Sequence, residues 1–156
     1  MQLRDATVDD TDALAGVFFR AVREGALGPY SDAECTAWAP MRPTAEYWAK
    51  RISGLDVVVA ERGSTVLGFM SWNTGDGDLD QAFVLPEVRG QGVANAIYAV
   101  IENRARSRKV ARLHTYASHL AKPFFLRQGW AVLGENQVDL SGVHLTNWRM
   151  EKALTQ

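Results

Sequence analysis

The chain has 156 residues, 47% of them hydrophobic, and a formal net charge of -1; this suits one compact domain that buries roughly 70% of its unfolded surface. The near-neutral balance removes the long-range field that would draw it to nucleic acid or an anionic membrane, and no window approaches the ~20 apolar residues a bilayer crossing needs. MQLRDATVDD is acidic where a secretory signal would be basic and then apolar, and the lone Cys35 cannot close an internal disulfide, so the reducing cytoplasm is the expected setting.

In "ATVDDTDALAGVFFRAVREGA", Thr7 with Asp10 forms a helix-capping pattern, and Leu14, Val17, Phe18, Ala21 and Val22 then share one face. Ser31 with Glu34 repeats the pattern before Trp38, and a short helix through Tyr47, Trp48 and Ile52 is expected after Pro43. From Val57 the period changes. Val57 to Ala60 and Val66 to Trp72 read as an antiparallel hairpin through Gly63, "GDGD" at 75 to 78 makes a turn, and Leu79 to Val84 is a further strand stopped by Pro86. A helix follows with Val93, Ala96, Ile97, Val100 and Ile101 inward. "ARLHTYAS" is a strand, "AKPFFLRQGW" a short helix ended by Gly129, and strands near Val132 to Val138 and Leu145 to Lys152 close the chain. Residues 1 to 154 are thus expected to form a single mixed domain, with no linker or repeat.

The stretch "AFVLPEVRGQGVANAIYAVIENRA" carries the chemistry. First-turn amides of an α-helix have no intrahelical partner and carry the positive end of the dipole, so they attract phosphate. Gly90 and Gly92 allow close backbone approach, small Ala94 leaves space above the first turn, and Arg89 can add a charged contact. Two glycines before a helix also suit an ordinary tight turn. A dinucleotide-binding unit would want GxGxxG near the start of a βαβ repeat, and a P-loop would end in Gly-Lys-Ser/Thr. Neither pattern is present here.

"FVLPEVRGQGVANAI" resembles the acetyl-CoA motif of the GNAT N-acetyltransferase superfamily through Arg89, Gly92 and Ala94, and "SHLAKPFFLRQGW" is similar to its later helix with a closing glycine-aromatic pair, Gly129 and Trp130. More narrowly, "REGALGPYSDAECTAWAP", "AKPFF" and "GVHLTNWRMEK" look like the YafP-like branch of bacterial acetyltransferases. The resemblance implies an α/β (α+β) fold: a mixed, mostly antiparallel sheet of six to seven strands flanked by about four helices. It implies acetyl-CoA as acyl donor, with the amides of Gln91, Gly92, Val93, Ala94 and Asn95 on the pyrophosphate. Main-chain groups near Phe83 and Val84 would pair with the pantetheine arm, Ser118 and Phe125 would lie against the cofactor, and Arg89, with Arg127 or Lys122, would reach the 3'-phosphate end.

The implied reaction is transfer of the acetyl group to an amine of a small molecule by direct attack. It needs a proton acceptor, a donor to the oxyanion and a route for the departing thiolate. Asp80, with Asp78 two residues before it, is the expected base; pairing with a cation or capping of the hairpin is the plainer role for either. Many family members carry a tyrosine where this chain has Phe125, which cannot protonate the thiolate. Tyr116 is the substitute, unless the thiolate leaves to water; an ordinary strand tyrosine is the competing reading. By the same resemblance Tyr30, Trp38, Trp72 and His144 would line the acceptor site, although each also suits packing or a loop. His114, His119 and His144 show no metal-ligand spacing, so no metal is expected. Two other functions stay open: a non-catalytic acyl-CoA-binding sensor or docking module, and a transferase acting on protein amines. Dimers are frequent in that superfamily, and pairing of a homodimer through "NWRMEKAL" is kept open.

Overall fold

The computed structural model describes residues 1–154. Thr7 and Asp10 do form a reciprocal cap, but over a 3-10 turn, Val8–Asp10; the helix proper, α1, is Thr11–Arg23. Ser31 and Glu34 cap α2 (Asp32–Trp38) in the same way, and Thr44 caps α3 (Ala45–Arg51). One strand has no counterpart among the sequence-based elements. β1 (Gln2–Asp5) is four residues long and half charged, and it forms by pairing along β2 (Asp56–Arg62).

The first sheet has the order β1-β2-β3-β4, all antiparallel, with β3 (Thr65–Trp72) and β4 (Leu79–Val84) completing it. β3 is buried from Val66 to Trp72 because α1 and α4 (Val93–Ser107) both pack on it. β5 (Arg112–Ala117), β6 (Ala131–Leu140) and β7 (Val143–Ala153) form a second antiparallel sheet in the order β5-β7-β6, with α5 (Lys122–Arg127) leading into β6. The described residues thus hold seven strands in two antiparallel sheets with five α-helices, a mixed α+β fold. No helix among them is long and apolar enough to cross a membrane.

Two core clusters hold the layers together. The larger one runs from Leu14 and Trp48 through Val58 and Phe69 to Ile97, Ile101, Leu113, Phe125 and Met150, so it spans both sheets. The smaller joins the end of α1 to β7 through Val22, Ala26, Tyr30, Cys35 and Leu145.

β4 and β5 lie side by side and parallel, yet they are sewn together only where they begin. The Asp78–His114 bridge, the His114 amide on the Gly77 carbonyl at 3.1 Å and the Thr115 hydroxyl on the Leu79 carbonyl at 2.7 Å make the seam. Beyond it the two strands belong to different sheets. A split therefore opens through the middle of the protein.

Candidate active site

The split ends at the N-terminus of α4. Gly90 and Gly92 have φ of 77° and 81°, left-handed values that a side chain resists, and Gly92 caps the helix with no side-chain partner. The amides of Gly90, Gly92, Val93, Ala94 and Asn95 find no acceptor among the described residues. Gln91 differs from the sequence-based expectation: its amide donates to the Val88 carbonyl at 3.2 Å, which turns the loop, and Gly90 takes its place in the exposed set. Arg89 lies against Gly25, where a Cβ would collide with the guanidinium, and it makes no ion pair among the described residues. Partial burial pulls its pKa below the ordinary arginine value. Lys122 instead sits 4.5 Å over the Trp148 ring.

Along β4 the main chain supplies a second set of free groups. The Leu85 amide donates to the Leu67 carbonyl at 2.8 Å, and the register pairs Phe83 with Phe69 and Val84 with Gly68. Bonded and non-bonded pairs alternate in an antiparallel ladder. Phe83 therefore spends its main chain on β3, while Ala82 and Val84 turn theirs into the split.

Two cavities occupy the split. One, of about 310 Å³, runs from Gly90, Gly92 and Asn95 along β4, with Arg89 and Arg127 at its walls. The other, of about 410 Å³, lies between β4, β5, α2 and the β6–β7 hairpin. Trp38, Ala82, Phe83, Ser118, Ala121 and Phe125 line both, so the two spaces meet over the middle of β4.

The second cavity holds two carboxylates in different surroundings. Arg51, at the end of α3, grips both oxygens of Asp80 at 2.6 and 3.1 Å. Asp78 instead faces His114, Nδ1 to Oδ1 at 3.4 Å, and burial pushes its carboxyl above the ordinary value, opposed by His114. A bulge between Ser71 and Trp72 gives Asp80 no partner on β3 and lets both aspartates line one space.

Three hydroxyls stand near the junction. Tyr30 is buried and fully engaged: its hydroxyl accepts from the His119 amide at 2.9 Å and donates to the Thr146 carbonyl at 2.7 Å. Ser118 lies in the turn that precedes α5, its Oγ accepting from the Ala121 amide at 3.1 Å. Tyr116 lines the cavity with 56% exposure and no hydrogen-bond partner among the described residues. Phe125 is buried against Trp130, ring centroids 4.6 Å apart. Cys35 is fully buried, and burial pushes its thiol up, which removes it as a nucleophile. No three of its histidine, cysteine and acidic residues gather to hold a metal ion among the described residues.

Trp72 and His144 do not reach this site. Trp72 is completely buried, its indole N–H on Asp56 at 2.7 Å, with Arg104 on the same carboxylate at 3.0 Å. His144 is in β7 rather than a loop, paired with Asp139 and exposed, while its neighbour Leu145 points inward by strand alternation. Tyr30 and Trp38 do line the cavity. Sequence reasoning missed Arg51, and it missed the floor made by Asn136, Val138 and Asn147, where the Asn136 side-chain Nδ2 donates to Asn147 Oδ1 at 2.9 Å. The alternation Asn136, Val138, Leu140 carried that second signal; Arg51 had none.

Residues 26–152 match the acetyltransferase (GNAT) domain family. The uncharacterized N-acetyltransferase YafP of Escherichia coli (strain K12) is 30% identical over 150 residues, 96% of this chain and 94% of that protein. A GCN5-related N-acetyltransferase from Rhodopseudomonas palustris superposes with a TM-score of 0.90 at 27% identity, covering 98% of this chain and 95% of that one. YncA of Salmonella typhimurium, solved with its cofactor acetyl-CoA, shares the fold with a TM-score of 0.73 at 17% identity, covering 100% of this chain and 95% of that one.

Proposed function

Because this chain belongs to the GNAT acetyltransferases and is an acetyl-CoA-dependent N-acyltransferase, we propose that it passes the acetyl group directly to an amine of a small molecule bound in the cavity of Asp78 and Asp80. The observation that carries the reading is the shared wall. A row of unpartnered amides opens one cavity, two carboxylates stand in the other, and the two meet at Trp38, Phe83, Ser118 and Phe125. A volume of about 410 Å³ suits a small ligand, and the Tyr30, Trp38 and Phe83 rings favour a flat or apolar body on the amine.

In this reading the diphosphate of acetyl-CoA rests on the amides of Gly90 and Gly92 to Asn95, where the helix dipole and Arg89 favour negative charge. The pantetheine arm adds to the open edge of β4 at Ala82 and Val84, as a ligand strand. That course brings the thioester to the junction. The amine enters from the other side, and an aspartate takes a proton from it so that a neutral nitrogen attacks. Tyr116, free at the cavity wall, donates to the leaving thiolate in place of a phenol at Phe125.

Titration calorimetry with acetyl-CoA, followed by thiol release over a panel of small amines and a lysine peptide, tests this. Binding with turnover of small amines is expected, and Gly92→Trp should abolish the binding. Release with the peptide alone would overturn the small-molecule reading, and unchanged affinity in Gly92→Trp would overturn the amide seat.

A further inference from the structure

We propose that Asp78, coupled to His114, takes the proton from the acceptor amine, and that Asp80 is a positioning residue held by Arg51. The inference rests on the small-amine reading above and names the base within it. Asp78 lines the cavity on one side and meets His114 on the other, with Nδ1 and Oδ1 3.4 Å apart. The His114 side chain is 43% exposed, so the two residues span the wall from cavity to solvent.

The protonation pattern follows from a neighbouring carbonyl. His114 Nε2 lies 3.1 Å from the Asp76 carbonyl oxygen, which can only accept, so Nε2 carries a hydrogen. In the neutral ring Nδ1 then presents a lone pair to Asp78. Two lone pairs face each other there until a proton comes between them. The pair is thus one proton short whenever Asp78 is ionised and His114 neutral, and a proton delivered from the cavity fills that place.

Asp80 stands in the opposite situation. Both its oxygens are engaged by Arg51, and protonating either one would sacrifice a charge-assisted pair. Burial, which pushes the Asp78 carboxyl up, points the same way. The other charged and titratable groups around the pair are Asp76, whose carboxylate accepts from the Asp78 amide at 2.8 Å, the Asp80–Arg51 pair, and those along β5 and β7. There Glu151 lies opposite His114 and is bound by Arg112 at 2.7 Å, while Tyr116 lies opposite Arg149.

An ammonium acceptor gives one N–H proton to the Asp78 carboxylate, which passes it through His114 Nδ1 to solvent. The freed nitrogen pair forms the N–C bond to the thioester carbon. The C–S bond then breaks with its electrons on sulfur, Tyr116 gives its hydroxyl proton to the thiolate, and the second N–H proton refills Tyr116. Ammonium and thioester become amide, thiol and one released proton.

Two acceptors separate proton removal from everything else: 2-phenylethylamine, an ammonium at pH 7, and hydroxylamine, already neutral there. Asp78→Asn should slow the first by about 10²–10⁴ and the second far less, with acetyl-CoA affinity by calorimetry showing that the variant is folded. In Asp80→Asn the ratio of the two rates should stay at its wild-type value. His114→Gln should move the acidic limb of kcat/KM for 2-phenylethylamine to lower pH, because one of the two sites sharing the proton is gone. Equal slowing of both acceptors in Asp78→Asn would overturn the proposal, as would a changed ratio in Asp80→Asn or an unmoved limb in His114→Gln. If the wild type binds acetyl-CoA but acetylates no small amine of the panel, the small-amine reading itself fails and this inference falls with it.

Discussion

Gly92→Ala isolates the backbone requirement at the head of α4. At φ 81° a Cβ is strained, yet nothing lies within 4 Å of where it would stand, so the penalty is conformational and not steric. A left-handed alanine costs about 1–2 kcal/mol, which in a domain of this size lowers Tm by roughly 2–8 °C. The free variant can relax its loop and relieve part of that strain, and binding must then restore the original turn. Acetyl-CoA affinity should fall by up to about tenfold, the equivalent of 1.4 kcal/mol. Gly142 supplies the control, since it has φ 84°, equally empty surroundings and a place in the β6–β7 turn outside both cavities. Differential scanning calorimetry should give similar Tm losses for Gly92→Ala and Gly142→Ala, and titration calorimetry should show weaker acetyl-CoA binding in the first only. Equal affinities in the two variants would refute the reasoning.

Tyr30→Phe leaves the His119 amide and the Thr146 carbonyl without their shared hydroxyl; a loss of about 1–3 kcal/mol is expected in urea unfolding, and an unchanged midpoint would contradict that role. The Arg4 guanidinium holds the Asp10 carboxyl below its ordinary 3.8, so the ionised form is favoured by folding. The stability this adds is present above pH 3.8 and lost as pH falls through the depressed folded value. The stability gap between wild type and Asp10→Asn should close in that acid window; a gap constant from neutral pH into strong acid would rule the linkage out. Cys35, fully buried, should react with a disulfide reagent only after denaturation, and rapid labelling of the native protein would show the second core cluster to be open.

The helices were readable because their signals are local. Ser31 and Glu34 lie within one turn of each other, and the apolar face of α1 repeats at helical spacing. β1 gave no such signal, since "QLRD" becomes a strand only through the edge of β2. The sequence pattern leaves residues 139 to 144 between two strands, but both strands continue through them to a tight turn at Ser141 and Gly142, with φ of 52° and 84° and the Gly142 amide on Asp139 at 3.0 Å. That continuation turned His144 outward. The unpartnered amides at the head of α4 were legible because they lie in one contiguous stretch. The carboxylate environment was not, because Arg51 and Asp80, like Asp78 and His114, are far apart in sequence and meet only through the packing of α3 and β5 on β4.

Trp38, Phe83 and Phe125 line both cavities. The buried thiol of Cys35 offers no place to park an acetyl group after the donor has gone. Under the direct-attack reading both substrates must be present at once for a turnover. Initial-velocity lines in double-reciprocal plots will converge, and the parallel lines of a ping-pong scheme will not be seen.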